Sequence, residues 1–143
     1  MSLYVLDAGV AIKWFIREDD SVLALKLLQR YERGDDQLIA PDLLIPECGN
    51  VLWKRSARGD LTAQEAVDSL NDLLGLNFPL TPSSTLVRHA LSVAQTYRQA
   101  VYDCLYLSLA ITQNCQLLTA DERFFKSLSS TFPQIQLLRR QSF

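Results

Sequence analysis

Short apolar runs alternate along this chain with stretches whose apolar residues recur every three or four positions, the pattern of strands separated by amphipathic helices. The first run, Leu3-Tyr4-Val5-Leu6, stops at Asp7 and reads as a strand, and 8–15 reads as a short helix. From Ser21 onward, Val22, Leu25, Leu28 and Tyr31 fall at helical spacing, and Gly34 is placed where a C-terminal glycine ends a helix. A second strand is expected over 37–40, closed by Pro41. A long helix is expected over 42–58, with Pro46 early enough for its missing N–H to be tolerated and Gly59 as its stop. Thr62-Ala63-Gln64-Glu65 has the form of a capping box and opens a helix to about 74, closed by Gly75. The remaining expectations are a short strand over 78–80, a helix from Ser83 or Ser84 to about 98, a strongly apolar helix over 101–113, a strand over 116–119, a helix from Asp121 to about 128 and a last strand over 135–138.

Strands separated by helical stretches imply parallel pairing with helices on both faces of the sheet. The 143 residues suffice for one domain, 1–143, with a sizeable core. A composition that is 48% hydrophobic and 21% charged is that of a globular chain. No apolar run is long enough to span a bilayer, and the N-terminus lacks a signal-peptide layout, so a cytoplasmic location is expected. The three cysteines, Cys48, Cys104 and Cys115, have no metal or disulfide spacing and read as small buried hydrophobes. A net charge of −2 argues against a basic nucleic-acid coat protein but leaves room for a metal-dependent nuclease.

That possibility rests on four acids. Asp7 directly follows a strand, and Asp121 stands two residues past the strand end at Thr119 and opens a helix. In an open parallel sheet both positions fall on the rim where ligands bind. Glu47 shares one face of its helix with Asn50, which is placed to hold a neighbouring carboxylate. Asp103 is the only acid in its apolar helix, where an unpartnered carboxylate would be costly. Each acid alone has a simpler reading, as a helix cap or a solvated side chain. Together, if they converge, they make an all-oxygen cluster that suits Mg²⁺ or Mn²⁺, and with it phosphate chemistry.

Four stretches also resemble the motifs of PIN-domain proteins, in order and across nearly the whole chain. They are Val5-Leu6-Asp7 through Phe15, Pro46-Glu47 with Asn50-Val51-Leu52-Trp53, Tyr102-Asp103 with Leu105 through Ala110, and Leu118-Thr119-Ala120-Asp121 through Phe124. The nearest group is the VapC-like toxins of bacterial type II toxin–antitoxin pairs. The resemblance implies an α/β fold, a three-layer α/β/α sandwich around a parallel sheet of about five strands. It implies a Mg²⁺- or Mn²⁺-dependent endoribonuclease that leaves 5′-phosphate and 3′-hydroxyl ends. Asp7, Glu47, Asp103 and Asp121 would form the acidic pocket, with Asp7 and Asp103 as direct ligands and Asn50 and Thr119 in support. A cognate antitoxin and a homodimer are also implied. Many relatives carry Ser or Thr where this chain has Gly9, and the second acid of the fourth motif has Glu122 as its only neighbouring candidate.

Lys13 and Arg17, after Asp7, are candidates to steer an RNA backbone. Two other classes compete. An inactive RNA- or protein-binding module of the same fold would bind without cleaving. An Asp-based phosphatase or phosphoacceptor domain would use Asp7 as nucleophile, but the Asp-x-Asp that a haloacid-dehalogenase-type phosphatase needs is broken by Gly9.

Overall fold

Five parallel strands build the centre of the molecule, which is described here over residues 1–143 from a computed structural model. The strands are β1 (Ser2–Leu6), β2 (Asp36–Pro41), β3 (Leu80–Thr81), β4 (Gln116–Thr119) and β5 (Ile135–Leu137), in the spatial order β3-β2-β1-β4-β5. In the register, Val5 lies between Ile39 and Leu117, and Leu6 beside Leu118. The helices are α1 (Ala8–Ala11), α2 (Ser21–Glu32), α3 (Leu44–Ala57), α4 (Ala63–Gly75), α5 (Val87–Tyr97), α6 (Val101–Gln113) and α7 (Glu122–Leu128). Strand order runs one way from β1 to β3 and then reverses to β4 and β5. With right-handed crossovers, that reversal distributes the helices over both faces and completes the expected α/β sandwich. No helix is long and apolar enough to cross a membrane.

The core follows from the apolar runs. Val5, Leu6, Leu38, Leu117, Leu118 and Ile135 from the strands are fully buried or nearly so. Helix α6 is apolar around its circumference and is buried continuously from Cys104 to Ala110, as an all-round hydrophobic helix must be. It packs on β1, β2 and β4 and carries α5 on its outer side. Trp14, in the 3-10 turn Ile12–Trp14, donates its indole N–H to the Ala24 carbonyl at 2.8 Å and so ties the chain after α1 to α2.

Turn chemistry sets several boundaries. Gly34 and Gly59 follow α2 and α3 with φ of +79° and +84°, a conformation that costs glycine nothing. The capping box of α4 is complete, Thr62 accepting from the Glu65 amide and Glu65 from the Thr62 amide, both at 3.0 Å. Three expected boundaries shift. The third strand is Leu80–Thr81 rather than 78–80, because Phe78 turns into the core, edge-on to Trp14 and Tyr31, after Asn77 reverses the chain at positive φ. Asp42 stays outside α3, its carboxylate accepting from the amide and hydroxyl of Ser83. Ser83 is thereby committed to Asp42, and α5 starts only at Val87 after a 3-10 turn.

Candidate active site

The reversal in strand order falls between β1 and β4, so their carboxyl ends open side by side at the sheet's switch point. Asp7 leaves β1 there. Its amide still donates to the Leu118 carbonyl at 3.3 Å, which holds the residue against β4. One carboxylate oxygen accepts from the Val10 amide at 2.9 Å and caps α1. The other accepts from the Thr119 hydroxyl at 2.5 Å. Thr119 is buried at the end of β4, and the same hydroxyl accepts from the Asp121 amide at 3.0 Å. Asp121 in turn caps α7, accepting from the Phe124 amide at 3.1 Å. A single threonine hydroxyl therefore ties together the two strand-end acids. Capping and a place in the site are compatible here: Asp121 uses only one oxygen in its cap, and each Asp7 oxygen accepts a single hydrogen bond and keeps a second lone pair.

The other two acids arrive on helices. Glu47 lies in the first turn of α3 and Asp103 in the first turn of α6. Glu47 Oε1 accepts a 2.7 Å hydrogen bond from the hydroxyl of buried Tyr106. Tyr106 lies three residues after Asp103 and thus on the same helical face. It is a contact that sequence reasoning left without a role, because Tyr106 falls within an apolar run. The four acids, with Gly9, Tyr106 and Ala120, line one cavity of about 270 Å³. No basic side chain is among them. A Cβ on Gly9 would sit 3.4 Å from Asp7 Oδ1 and from the Ala120 Cβ, so the wall has room for a small side chain.

Burial and mutual repulsion shape the electrostatics. Burial, reinforced by the charges of Asp103 and Glu47, raises the pKa of Asp7 to about 6, against the pull of its bonds from Thr119 and Val10. Asp103 is also raised, first by burial and then by Asp121 and Glu47. Burial and the bond to Glu47 push the Tyr106 phenol up, so it stays a donor. Cys48, behind Glu47, is pushed up to about 12 mainly by burial, and is an inert thiol rather than a nucleophile. As the side chains stand, no three of the acidic, His or Cys groups converge tightly enough to grip an ion. The donor set is nevertheless all oxygen and free of any cationic partner, and burial raises Asp7 and Asp103, which is the chemistry that a hard divalent cation satisfies.

The remaining candidates are placed differently. Asn50 is exposed on α3 and makes no hydrogen bond, so it supports no carboxylate in this arrangement. Lys13 is buried, its ammonium held by Glu18 at 3.1 Å and by the Asp19 carbonyl at 2.7 Å, which leaves no free charge for a phosphate. Arg17 is exposed and lies outside the residues lining the acidic cavity. Glu122 pairs with Arg139 and stays out of the cavity.

Comparisons with known proteins bear on the family and the fold. The chain is 29% identical over 133 residues to ribonuclease VapC3 of Pyrobaculum aerophilum, an alignment covering 92% of this chain and 95% of that protein. Its fold is similar to the crystal structure of PAE2754 from Pyrobaculum aerophilum, with a TM-score of 0.68, 21% identity, and 96% and 92% of the two chains covered. It is also similar to a chain of VapBC2 from Rickettsia felis bound to a DNA fragment from their promoter, with a TM-score of 0.63, 16% identity, and 94% and 96% coverage. The PIN domain family model matches residues 4–128, and the chain belongs to the PIN domain family.

Proposed function

We propose that this protein is a divalent-metal-dependent endoribonuclease, the toxin of a toxin–antitoxin pair acting in the cytoplasm. The observation that carries the reading is the gathering of Asp7, Glu47, Asp103 and Asp121, from four separate segments, into one cavity with no basic residue in its lining. Asp7 and Asp103 would hold Mg²⁺ or Mn²⁺ directly, with Glu47 and Asp121 directly or through water. Such an ion, when bound, supplies an acidified water and offsets charge on the reacting phosphate. The chain's own part is positional. Thr119 fixes the Asp7 carboxylate, Tyr106 fixes Glu47, and the caps from Asp7 and Asp121 keep both acids at the rim. The name of the VapC3 relative supports ribonuclease activity. The VapBC2 complex supports an antitoxin partner, as does the apolar surface left by Trp53, Val67 and Leu74 on α3 and α4, which also offers a homodimer contact.

The test is cleavage of a labelled single-stranded RNA. Cleavage should need Mg²⁺ or Mn²⁺, stop with EDTA and give 5′-phosphate ends. Asp7→Asn and Asp103→Asn should each lose more than about 100-fold, since even outer-shell partners of a metal site typically cost 10–100-fold. EDTA-resistant cleavage, or full activity in both variants, refutes the assignment. Binding without any cleavage favours an inactive module.

A further inference from the structure

The acidic cavity does not stand alone. Asp103 and Asp121 also line a second, adjoining cleft of about 340 Å³, whose other walls include Arg98, Gln99, Arg123 and Ser127. Two segments supply it: the turn between α5 and α6, and the first turns of α7. Past Arg123 a further depression is lined by Glu122, Lys126 and Ser127, Glu122 being already paired with Arg139.

Both arginines are unspent. Arg30, Arg33, Arg55, Arg58 and Arg139 are all committed to carboxylates within the fold. Arg98 and Arg123 make no ion pair, and of the five arginines without one (Arg17, Arg88 and Arg140 are the others) only these two line the cleft beside Asp103 and Asp121. A purely structural use for them would be to neutralise those acids, and the fold does not do so. Arg98 moreover occupies the left-handed conformation at the end of α5, with φ 55° and ψ 51°. Glycine takes that position without penalty, whereas a residue with a side chain is strained there. Arg98 thus combines a strained backbone with a guanidinium that has no carboxylate partner beside the acidic cavity.

We propose that the Arg98–Arg123 cleft binds a backbone phosphate of the RNA strand next to the phosphate attacked over the four acids. The strand then runs from the acidic cavity across the start of α7 toward Lys126. Arginine suits this role, because its fork matches two phosphate oxygens. The division of labour also follows from charge. The acids repel the strand, most strongly when no cation sits among them, and the arginines hold its neighbouring phosphate in register against that repulsion with or without the cation. This inference rests on the ribonuclease reading above and adds the path of the substrate to it.

The test separates binding from cleavage. Affinity for a labelled single-stranded RNA dodecamer is measured in EDTA over a salt series, and Mg²⁺-dependent cleavage is measured separately. The proteins are wild type, Arg98→Gly, Arg123→Gln and the double variant. Arg98→Gly should melt no lower than wild type, which removes misfolding as an explanation. Each single variant should bind roughly tenfold more weakly, as for one lost charge-assisted contact, with KM raised more than kcat is lowered. The slope of log affinity against log salt should fall by about 0.7 per arginine. Unchanged affinity and slope in the double variant overturn the cleft, whether or not the wild type cleaves. Arginine-dependent binding without cleavage upholds the cleft and removes the nuclease reading. Wild type that binds no RNA, or whose cleft engages an acidic peptide in place of RNA, overturns the proposal.

Discussion

Asp7 is held in a place that favours its neutral form. Its pKa of about 6 in the folded protein compares with 3.8 for a free side chain. Below pH 3.8 the folded and unfolded states are both protonated. As pH rises from 3.8 to 6 the unfolded chain releases the proton first, so stability drains across that window and stays lost above it. The burden at pH 8 is about 2 kcal/mol, from two pKa units at about 1.4 kcal/mol each with some relief from water at the cavity mouth. Asn is as good an N-cap as Asp and keeps the bond from the Val10 amide, while its amide nitrogen donates to the Thr119 hydroxyl in place of the bond that the carboxylate accepted. Asp7→Asn should therefore unfold later than wild type at pH 8 in EDTA, by about 1–2 kcal/mol in urea titrations, and should show no such gain at pH 4. Equal stability of the two proteins at pH 8 would mean that the carboxylate is not strained by its surroundings. Tyr106 shows the opposite economy: its hydroxyl is satisfied by Glu47, and that bond restrains a carboxylate that would otherwise be free to turn away. Its role was not legible from the chain, because Tyr106 sits within an apolar run where an aromatic reads as core.

At the level of elements, local signals were reliable where the chain solves its own problem within a few residues. The capping box at Thr62 and Glu65 and the glycines after α2 and α3 are of this kind, each supplying a bond or a backbone angle that needs no distant partner. They failed where a distant partner intervenes. Phe78 has the look of a strand residue, yet the space between Trp14 and Tyr31 claims it and β3 starts at Leu80. Lys13 and Asn50 show a different limit. A helical face can be read from spacing, but whether an ammonium finds a Glu18 five residues on, or an amide points into a pocket, depends on packing that spacing does not encode. Thr62 gives a clean check on the local rule. Thr62→Ala should cost about 1 kcal/mol of unfolding free energy, read from the denaturation midpoint, with RNA cleavage unchanged. A loss of activity out of proportion to that small destabilisation would show that α4 takes part in the site.

The whole molecule converts sequence distance into proximity. Residues 7 and 121 meet because β1 and β4 are neighbours at the switch point, and residues 47 and 103 join them because α3 and α6 both begin at that rim. For Asp7 and Asp121 the shared rim was readable in outline, since strand-end acids of a parallel sheet fall on one edge, whereas the convergence of Glu47 and Asp103 with them was left open by spacing. The flanking arginines were not readable, because Arg98 gains its meaning from a left-handed turn and Arg123 from a neighbouring cleft that no motif marks. A site assembled this way links the ends of the chain to its middle, so a cation held by all four acids should stabilise the fold as a unit. At a hundred times its dissociation constant the linkage is about 2.7 kcal/mol. For a chain of 143 residues that raises the melting temperature by several degrees in one cooperative step. Scanning calorimetry with Mg²⁺ or Mn²⁺ against EDTA should show the shift in wild type and lose it in the Asp7→Asn, Asp103→Asn double variant. That variant should also melt above metal-free wild type, because the repulsion is relieved. A shift that persists in the double variant would place the cation elsewhere on the molecule, and with it the chemistry assigned to these four carboxylates.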